Sequence, residues 1–150
     1  MQNGPARARA ALNSLAAECM SGRVIDVTAA IWIEAGRVLI ARRPPGVSQA
    51  GLWEFPGGKV RPGETPEACL AREIEEELGV RVEVEGFFSE SVHAYAERTI
   101  RLLAYRVRST GGSPVAREHA ELRWVNPREL GRYPFCPADL PLVRRLQEAP

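Results

Sequence analysis

The segment from Pro66 to Leu78 restricts the fold of this chain more than any other, because both of its ends and one of its faces are specified. Thr65 offers an N-cap hydroxyl, Pro66 suits the first helical position, and Gly79 suits the position after the last turn. At about 100° per residue, one stripe collects the apolar side chains Leu70, Ala71, Ile74 and Leu78. We therefore expect an amphipathic helix over 66–78 that packs on a core.

A second face of this helix carries three carboxylates, Glu73, Glu76 and Glu77. Side chains three and four residues apart are neighbours on a helix, and a like-charge pair such as Glu73–Glu77 costs about 0.2–0.5 kcal/mol. Arg72 is the only cation in the helix and can pair with Glu76. A solvated face is one interpretation, although such faces usually interleave Lys with Glu. Binding of a hard divalent cation, which takes oxygen ligands, is the other.

The loop before the helix favours the metal interpretation. Gly57 and Gly58 allow a close backbone approach, and Pro62-Gly63 predicts a tight turn that returns the chain to the helix. Glu64 closes this loop. A flexible backbone beside crowded carboxylates is typical of a site that binds metal and phosphate together.

The rest of the chain predicts one mixed domain. Strands are expected at 24–33, 38–41, 80–91, 99–107 and 121–125, with a short extended piece at 52–55, a helical turn at 127–130 and a helix at 140–146. Because helices and strands do not alternate regularly, we expect an α+β fold or a sheet flanked by helices. We expect residues 1–22, rich in Ala and Arg, to be a flexible or briefly helical extension, and 23–150 to form the domain.

Charge and cysteine content exclude several protein classes. The chain has 20 Lys and Arg against 19 Asp and Glu, so no overall basic field attracts nucleic acid or a membrane surface. Its three cysteines, Cys19, Cys69 and Cys136, are widely spaced, which argues against a disulfide framework and a structural zinc site. There is no apolar run long enough to cross a membrane and no secretory signal pattern. We expect a cytoplasmic protein.

At this point the residues resemble a known family. The Nudix box, G-x5-E-x7-R-E-U-x-E-E-x-G-U with U an aliphatic residue, is met at every fixed position by Gly58, Glu64, Arg72, Glu73, Ile74, Glu76, Glu77, Gly79 and Val80. The runs LIARR, LWEFPGGKV and PADLPL extend the resemblance over 24–146. The chain resembles a MutT-type Nudix hydrolase, and most of all the bacterial CTP pyrophosphohydrolase and 8-oxo-dGTP diphosphatase branch. This implies a Nudix fold, an α/β/α sandwich around a central mixed β-sheet.

The resemblance also implies roles for the acidic residues. The implied metal ligands are Glu73, Glu76 and Glu77, completed by a carbonyl of Gly57 or Gly58. The implied role of Arg72 is to orient a carboxylate, and that of Glu64 is to brace the loop. Glu118 matches a further acidic residue of MutT-like enzymes and is the candidate for an additional metal ligand or the general base. A plain loop glutamate is an equal interpretation of Glu118, and Glu121 is a nearby competitor.

Substrate recognition is implied at four positions. Arg43 matches a substrate-contacting position, and Lys59 is placed to meet phosphate. Phe55 is either an apolar wall for a base or part of the core. Asp139 stands where MutT has the Asn that reads oxidised guanine, which puts strict 8-oxo-dGTP selectivity in doubt. Two roles that do not exclude each other are open to Asp139: it can accept a hydrogen bond from an exocyclic amino group, and it can N-cap the C-terminal helix.

The implied activity is hydrolysis of (deoxy)nucleoside triphosphates to the monophosphate and pyrophosphate, in nucleotide-pool sanitation. The implied cofactor is Mg²⁺, with Mn²⁺ as a substitute. We expect a small-molecule nucleotide as the partner, with no nucleic acid or membrane, and a monomer or weak homodimer. One alternative is a Nudix enzyme for another nucleoside diphosphate derivative such as ADP-ribose. The other is a non-catalytic recognition module, although such a module does not need the three helix carboxylates.

Overall fold

The computed structural model describes residues 23–148, so the expectation for 1–22 lies outside the described residues. In chain order, the elements within that range are β1 (Arg23–Glu34), β2 (Arg37–Arg42), β3 (Trp53–Glu54), α1 (Pro66–Leu78), β4 (Val82–Ala94), β5 (Arg98–Ser109), β6 (Glu121–Val125), 3-10 turns at Pro127–Arg132 and Pro137–Asp139, and α2 (Leu140–Glu148). Helix α1 has the predicted bounds. Strand β4 lies further along the chain than the predicted 80–91, because Val80 is buried beneath α1 instead.

The strands form one mixed sheet in the order β3-β2-β1-β5-β4, and β6, which lies off this path, pairs with β2. β1 and β5 run parallel over ten residue pairs, from Arg23–Arg98 to Trp32–Val107. The pairs β1–β2, β2–β3, β2–β6 and β4–β5 are antiparallel. This mixture of parallel and antiparallel pairs confirms the α+β prediction.

A helix covers each face of the sheet. On one face, Leu70, Ile74 and Leu78 of α1 are fully buried in a cluster with Trp32 and Leu103. On the other face, a second cluster joins α2 and the 3-10 turns to the sheet through Phe55, Leu130, Phe135, Leu142 and Leu146. These two clusters confirm the predicted α/β/α sandwich. No helix in the described part of the chain combines the length and apolar character needed to cross a bilayer.

The predicted caps hold α1 in place. The Thr65 hydroxyl accepts a hydrogen bond from the Ala68 N–H at 3.1 Å. Gly79 ends the helix in a left-handed conformation, with φ at 70°, and donates its N–H to the Glu75 carbonyl at 3.0 Å. A side chain with a Cβ is strained at this φ, so glycine suits the position. The caps therefore set where the acidic face of α1 begins and ends.

Candidate active site

A cavity of about 700 Å³ lies between the sheet, the loop after β3 and the second 3-10 turn. Seven of the predicted site residues line it: Arg43, Phe55, Gly57, Gly58, Lys59, Glu77 and Asp139. The other four, Arg72, Glu73, Glu76 and Glu118, are outside its lining. A cavity of this size suits a small-molecule ligand.

Two glycines bring the loop backbone against β1 and α1. A Cβ on Gly57 would overlap the Thr28 carbonyl, and a Cβ on Gly58 would overlap the Glu73 carboxylate. The Gly58 carbonyl already accepts the Thr28 N–H at 2.8 Å and the Thr28 hydroxyl at 3.1 Å. No described residue donates to the Gly57 carbonyl. Of the two carbonyls expected as metal ligands, that of Gly57 is therefore the free one.

The Arg72 guanidinium donates hydrogen bonds to three carboxylates near the acidic face of α1. Its Nε and Nη2 donate to Glu64 at 2.7 and 2.9 Å, and its Nη1 donates to Glu73 at 2.9 Å and to Glu76 at 3.3 Å. The expected pair with Glu76 is thus the longest of the four contacts. The hydrogen bond from Arg72, with a second from the Arg61 N–H, lowers the pKa of Glu64 to about 2. Glu64 braces the loop and stays ionised.

Of the three helix carboxylates, Glu77 is the one that forms no ion pair with a described residue. Its Oε1 is shielded from solvent and has no hydrogen-bond partner among the described residues. Burial, followed by the negative charges of Glu73 and Glu54, raises the pKa of Glu77 to about 9. A buried carboxylate in this state lacks the positive charge that would hold it ionised. The donor set of Glu73, Glu77 and the Gly57 carbonyl consists of oxygens and fits a hard divalent cation.

The acidic side chains do not form a closed metal cage. Over residues 23–148, no three His, Cys, Asp or Glu side chains are grouped as ready ligands. Glu76 is 49% exposed and turns towards Arg72. Such an open arrangement still suits Mg²⁺, which keeps several waters and uses one or two carboxylates together with substrate phosphates.

Glu118 and its competitor Glu121 differ in their ion pairs. Glu121 lies near Arg42 at 3.4 Å and Arg123 at 2.7 Å, both on the surface. Glu118 is exposed and forms no ion pair with a described residue, and its charge contributes to the raised pKa of Glu77. Glu118 is therefore the one of the two that remains available to the site.

Asp139 does not N-cap the C-terminal helix, and this prediction is wrong. Its Oδ2 accepts the Phe55 N–H at 3.0 Å and so links the second 3-10 turn to the end of β3. The turn over Pro137–Asp139 leads directly into α2, so Asp139 already lies within helical geometry instead of preceding it. Burial first, and the Glu54 charge second, raise the pKa of Asp139 well above its ordinary value.

Phe55 is a core residue that also lines the cavity. The ring is 3% exposed and stacks on Phe135 with centroids 5.3 Å apart, so it belongs to the core. The Phe55 ring also lines the cavity, and the Phe55 N–H donates to the Asp139 carboxylate. Phe55 therefore forms an apolar inner wall that cannot move freely.

Sequence reasoning missed the acidic residue at the cavity wall, Glu54. Its two oxygens contact Arg43 Nη1 at 3.0 Å and His119 Nε2 at 2.9 Å. The His119 side chain is buried, with no partner for its Nδ1 among the described residues. A charged residue inside the apolar run LWEF was the one available signal. Twelve other lining residues were not predicted as part of the site: Val27, Thr28, Ser48, Gln49, Tyr95, Ala96, Glu97, Arg98, Ile100, Leu102, Cys136 and Ala138.

Comparison with known proteins identifies relatives over most of the described chain. A family model described as NUDIX domain matches residues 27–145. CTP pyrophosphohydrolase of Escherichia coli (strain K12) is 42% identical over 121 residues, which cover 81% of this chain and 90% of that protein. An 8-oxo-dGTP diphosphatase of Haemophilus influenzae is 37% identical over 85% of this chain and 94% of its own. The crystal structure of a MutT NUDIX hydrolase from Burkholderia pseudomallei superposes with a TM-score of 0.75 at 28% identity, over 85% of this chain and 99% of that chain.

Proposed function

This chain belongs to the Nudix family of hydrolases, and from that premise we propose that it converts (deoxy)nucleoside triphosphates to the monophosphate and pyrophosphate, in nucleotide-pool sanitation. Two relatives carry names for this chemistry, CTP pyrophosphohydrolase and 8-oxo-dGTP diphosphatase. The observation that carries the proposal is Glu77, a shielded carboxylate without a cation at the wall of a cavity of nucleotide size.

Nudix hydrolases generally need a divalent metal, and for this chain we propose Mg²⁺, with Mn²⁺ as a substitute. Glu73, Glu77 and the Gly57 carbonyl would hold it, and in this proposal Glu76 and Glu118 add ligands when the metal binds. When bound, it supplies neutralisation of phosphate charge and a lowered pKa for the attacking water. Because Glu77 binds a proton in the metal-free protein, metal binding is expected to release that proton and to tighten as pH rises.

The cavity orients the nucleotide from its inner end to its mouth. Phe55 and Asp139 form the buried inner end, which suits a base, while Lys59 is exposed and suits phosphate. Arg43 also lines the cavity and donates to Glu54 at 3.0 Å and to the Ser48 carbonyl at 2.7 Å. In the proposed reaction Glu118 serves as the general base or an added ligand. Arg72 keeps Glu73 in position through its bond of 2.9 Å.

A substrate panel tests this function. Normal, oxidised and methylated (d)NTPs and ADP-ribose are incubated with Mg²⁺, and the products are separated. Release of pyrophosphate from one or more triphosphates, lost on chelation of the metal, is the expected result. Hydrolysis of ADP-ribose to AMP and ribose phosphate, with no activity on triphosphates, would reject the proposed function. It would support instead an enzyme for other nucleoside diphosphate derivatives.

Asp139→Ala is expected to change the ranking of bases and to lower the melting temperature. The change removes the acceptor for the buried Phe55 N–H, which costs about 1–3 kcal/mol. Asp139→Asn is the matched variant, because its amide oxygen keeps that acceptor while adding donors. We expect Asp139→Asn to keep the melting temperature and still change kcat/KM among CTP, dCTP, dGTP and 8-oxo-dGTP. An equal fall for all four substrates in both variants would reject a role in base recognition.

The same proposal includes a cytoplasmic location, a monomer or weak homodimer, and a nucleotide as the partner, without nucleic acid or membrane. Cys69 and Cys136, the two cysteines within the described residues, are buried free thiols, as is usual in a reducing compartment. Gel filtration of the full chain measures its oligomeric state.

A further inference from the structure

A second groove, of about 610 Å³, adjoins the catalytic cavity and shares Lys59 with it. Its walls are the first residues of β1, the loop segment that follows Gly58, and Arg101 from β5. Two backbone hydrogen bonds hold the loop against the strand and together form the bridge between Val27 and Lys59: the Thr28 N–H donates to the Gly58 carbonyl at 2.8 Å, and the Val60 N–H donates to the Asp26 carbonyl at 3.0 Å. The wall of the groove formed by this loop is therefore held in place by the backbone of β1.

The lining of this groove is strongly cationic. Four basic residues contribute to it, Arg23, Lys59, Arg61 and Arg101, against a single acid, Asp26. Arg101 is neutralised, because its Nε and Nη2 donate to the two Asp26 oxygens at 2.9 and 2.8 Å. The other three form no ion pair with any residue in the described part of the chain.

The acid that follows Arg61 in this loop is bonded mainly by Arg72. Glu64 follows Arg61 closely, but its carboxylate is bonded twice by the Arg72 guanidinium and once by the Arg61 backbone N–H. Three cations therefore line one groove without an ion pair among the described residues, which favours an anionic ligand. Arg and Lys are the usual partners of phosphate. No aromatic residue lines the groove, which argues against a stacking surface for nucleic-acid bases.

We propose that this groove binds the phosphates beyond the cleaved bond, the pyrophosphate end of the substrate. The inference rests on the proposed function, because the base end of the nucleotide occupies the cavity of Phe55 and Asp139. Lys59 lies at the junction, so a phosphate chain that leaves the cavity past Lys59 enters the groove towards Arg23 and Arg61. A triphosphate reaches these arginines, whereas a diphosphate of the same base ends nearer Lys59.

The double variant Arg23→Gln/Arg61→Gln tests this assignment in the full chain. Its matched control is Arg37→Gln/Arg144→Gln, which makes the same change of charge at two exposed arginines outside both cavities. The first measurement is calorimetric titration with inorganic pyrophosphate in EDTA, which reports the groove without metal or catalysis. We expect wild type and control to bind equally, and the double variant at least about tenfold more weakly.

The second measurement is kcat/KM with Mg²⁺ for the triphosphate and diphosphate of one base. In the double variant we expect the triphosphate value to fall at least about fivefold while the diphosphate value is unchanged. Equal pyrophosphate affinity in all three proteins, or an unchanged ratio of triphosphate to diphosphate, would overturn the assignment. A failure of the proposed function is seen separately, as a wild type that binds pyrophosphate and hydrolyses no triphosphate.

Discussion

Replacing Glu77 with Gln is expected to lower kcat at least about 10²-fold without lowering the stability of the metal-free protein. Glu77 supplies the carboxylate that has no cation of its own, so its loss removes an oxygen ligand at the wall of the cavity. Its amide replacement has nearly the same shape and does not touch the apolar stripe of α1. Glu75→Gln is the matched control, since Glu75 is exposed on the same helix and lines neither cavity.

The pH dependence of stability supplies an independent readout. Burial raises the pKa of Glu77 from 4.5 to about 9, so the folded protein holds a proton that the unfolded chain releases. Stability from this group is complete below pH 4.5 and is lost as pH rises towards 9. In EDTA, Glu77→Gln should match wild type at pH 4 and melt higher than wild type at about pH 8. Unfolding of the variant, or full activity with an intact fold, would contradict the metal assignment.

The two loop glycines are expected to fail in different ways when each is changed to Ala. A Cβ on Gly57 overlaps the Thr28 carbonyl, which is backbone of β1 and cannot move without disturbing the sheet. Gly57→Ala should therefore cost at least about 2 kcal/mol of stability. A Cβ on Gly58 overlaps the far end of the Glu73 side chain, which can rotate away. Gly58→Ala should keep most of the stability and lose at least about tenfold in kcat, because Glu73 leaves its position beside Arg72.

Urea unfolding and steady-state kinetics on the same preparations separate these outcomes. Gly86→Ala in β4 is the control, because its Cβ would meet no atom within 4 Å and its φ is not in the left-handed region. It should change neither stability nor kcat. Equal stability for Gly57→Ala and Gly86→Ala would show that the close approach to Thr28 is not required. Full activity of Gly58→Ala would show that activity does not require the position of Glu73 beside Arg72.

Much of the fold could be predicted because it depends on neighbours in sequence. The bounds of α1 follow from Thr65, Pro66 and Gly79, which act within one turn of the helix ends. The β-branched residues of β1 and the strand-like composition of β5 marked both as strands before any partner was known. The helix carboxylates, too, were found by spacing alone, since residues three and four apart on a helix must be neighbours.

Residues far apart in the chain decided the rest. Spacing made Glu76 and Glu77 equivalent, but the tertiary structure exposes Glu76 beside Arg72 and shields Glu77 at the cavity wall. For Asp139 the sequence left open a contact with the base and an N-cap of its own helix, whereas in the structure it accepts a hydrogen bond from the backbone N–H of Phe55, 84 positions earlier.

By itself, then, the sequence determined the helix, its acidic face and the family, since capping and periodicity act over three or four residues. Only the tertiary structure decided which carboxylate lacks a counter-charge, which glycine carbonyl is free and which cations converge in the second groove. Burial and charge depend on everything that packs around a group, as the contact of Glu54 with His119 across 65 positions illustrates. No local pattern encodes such a partner, because the sheet brings together segments whose separation in the chain sets no distance between them.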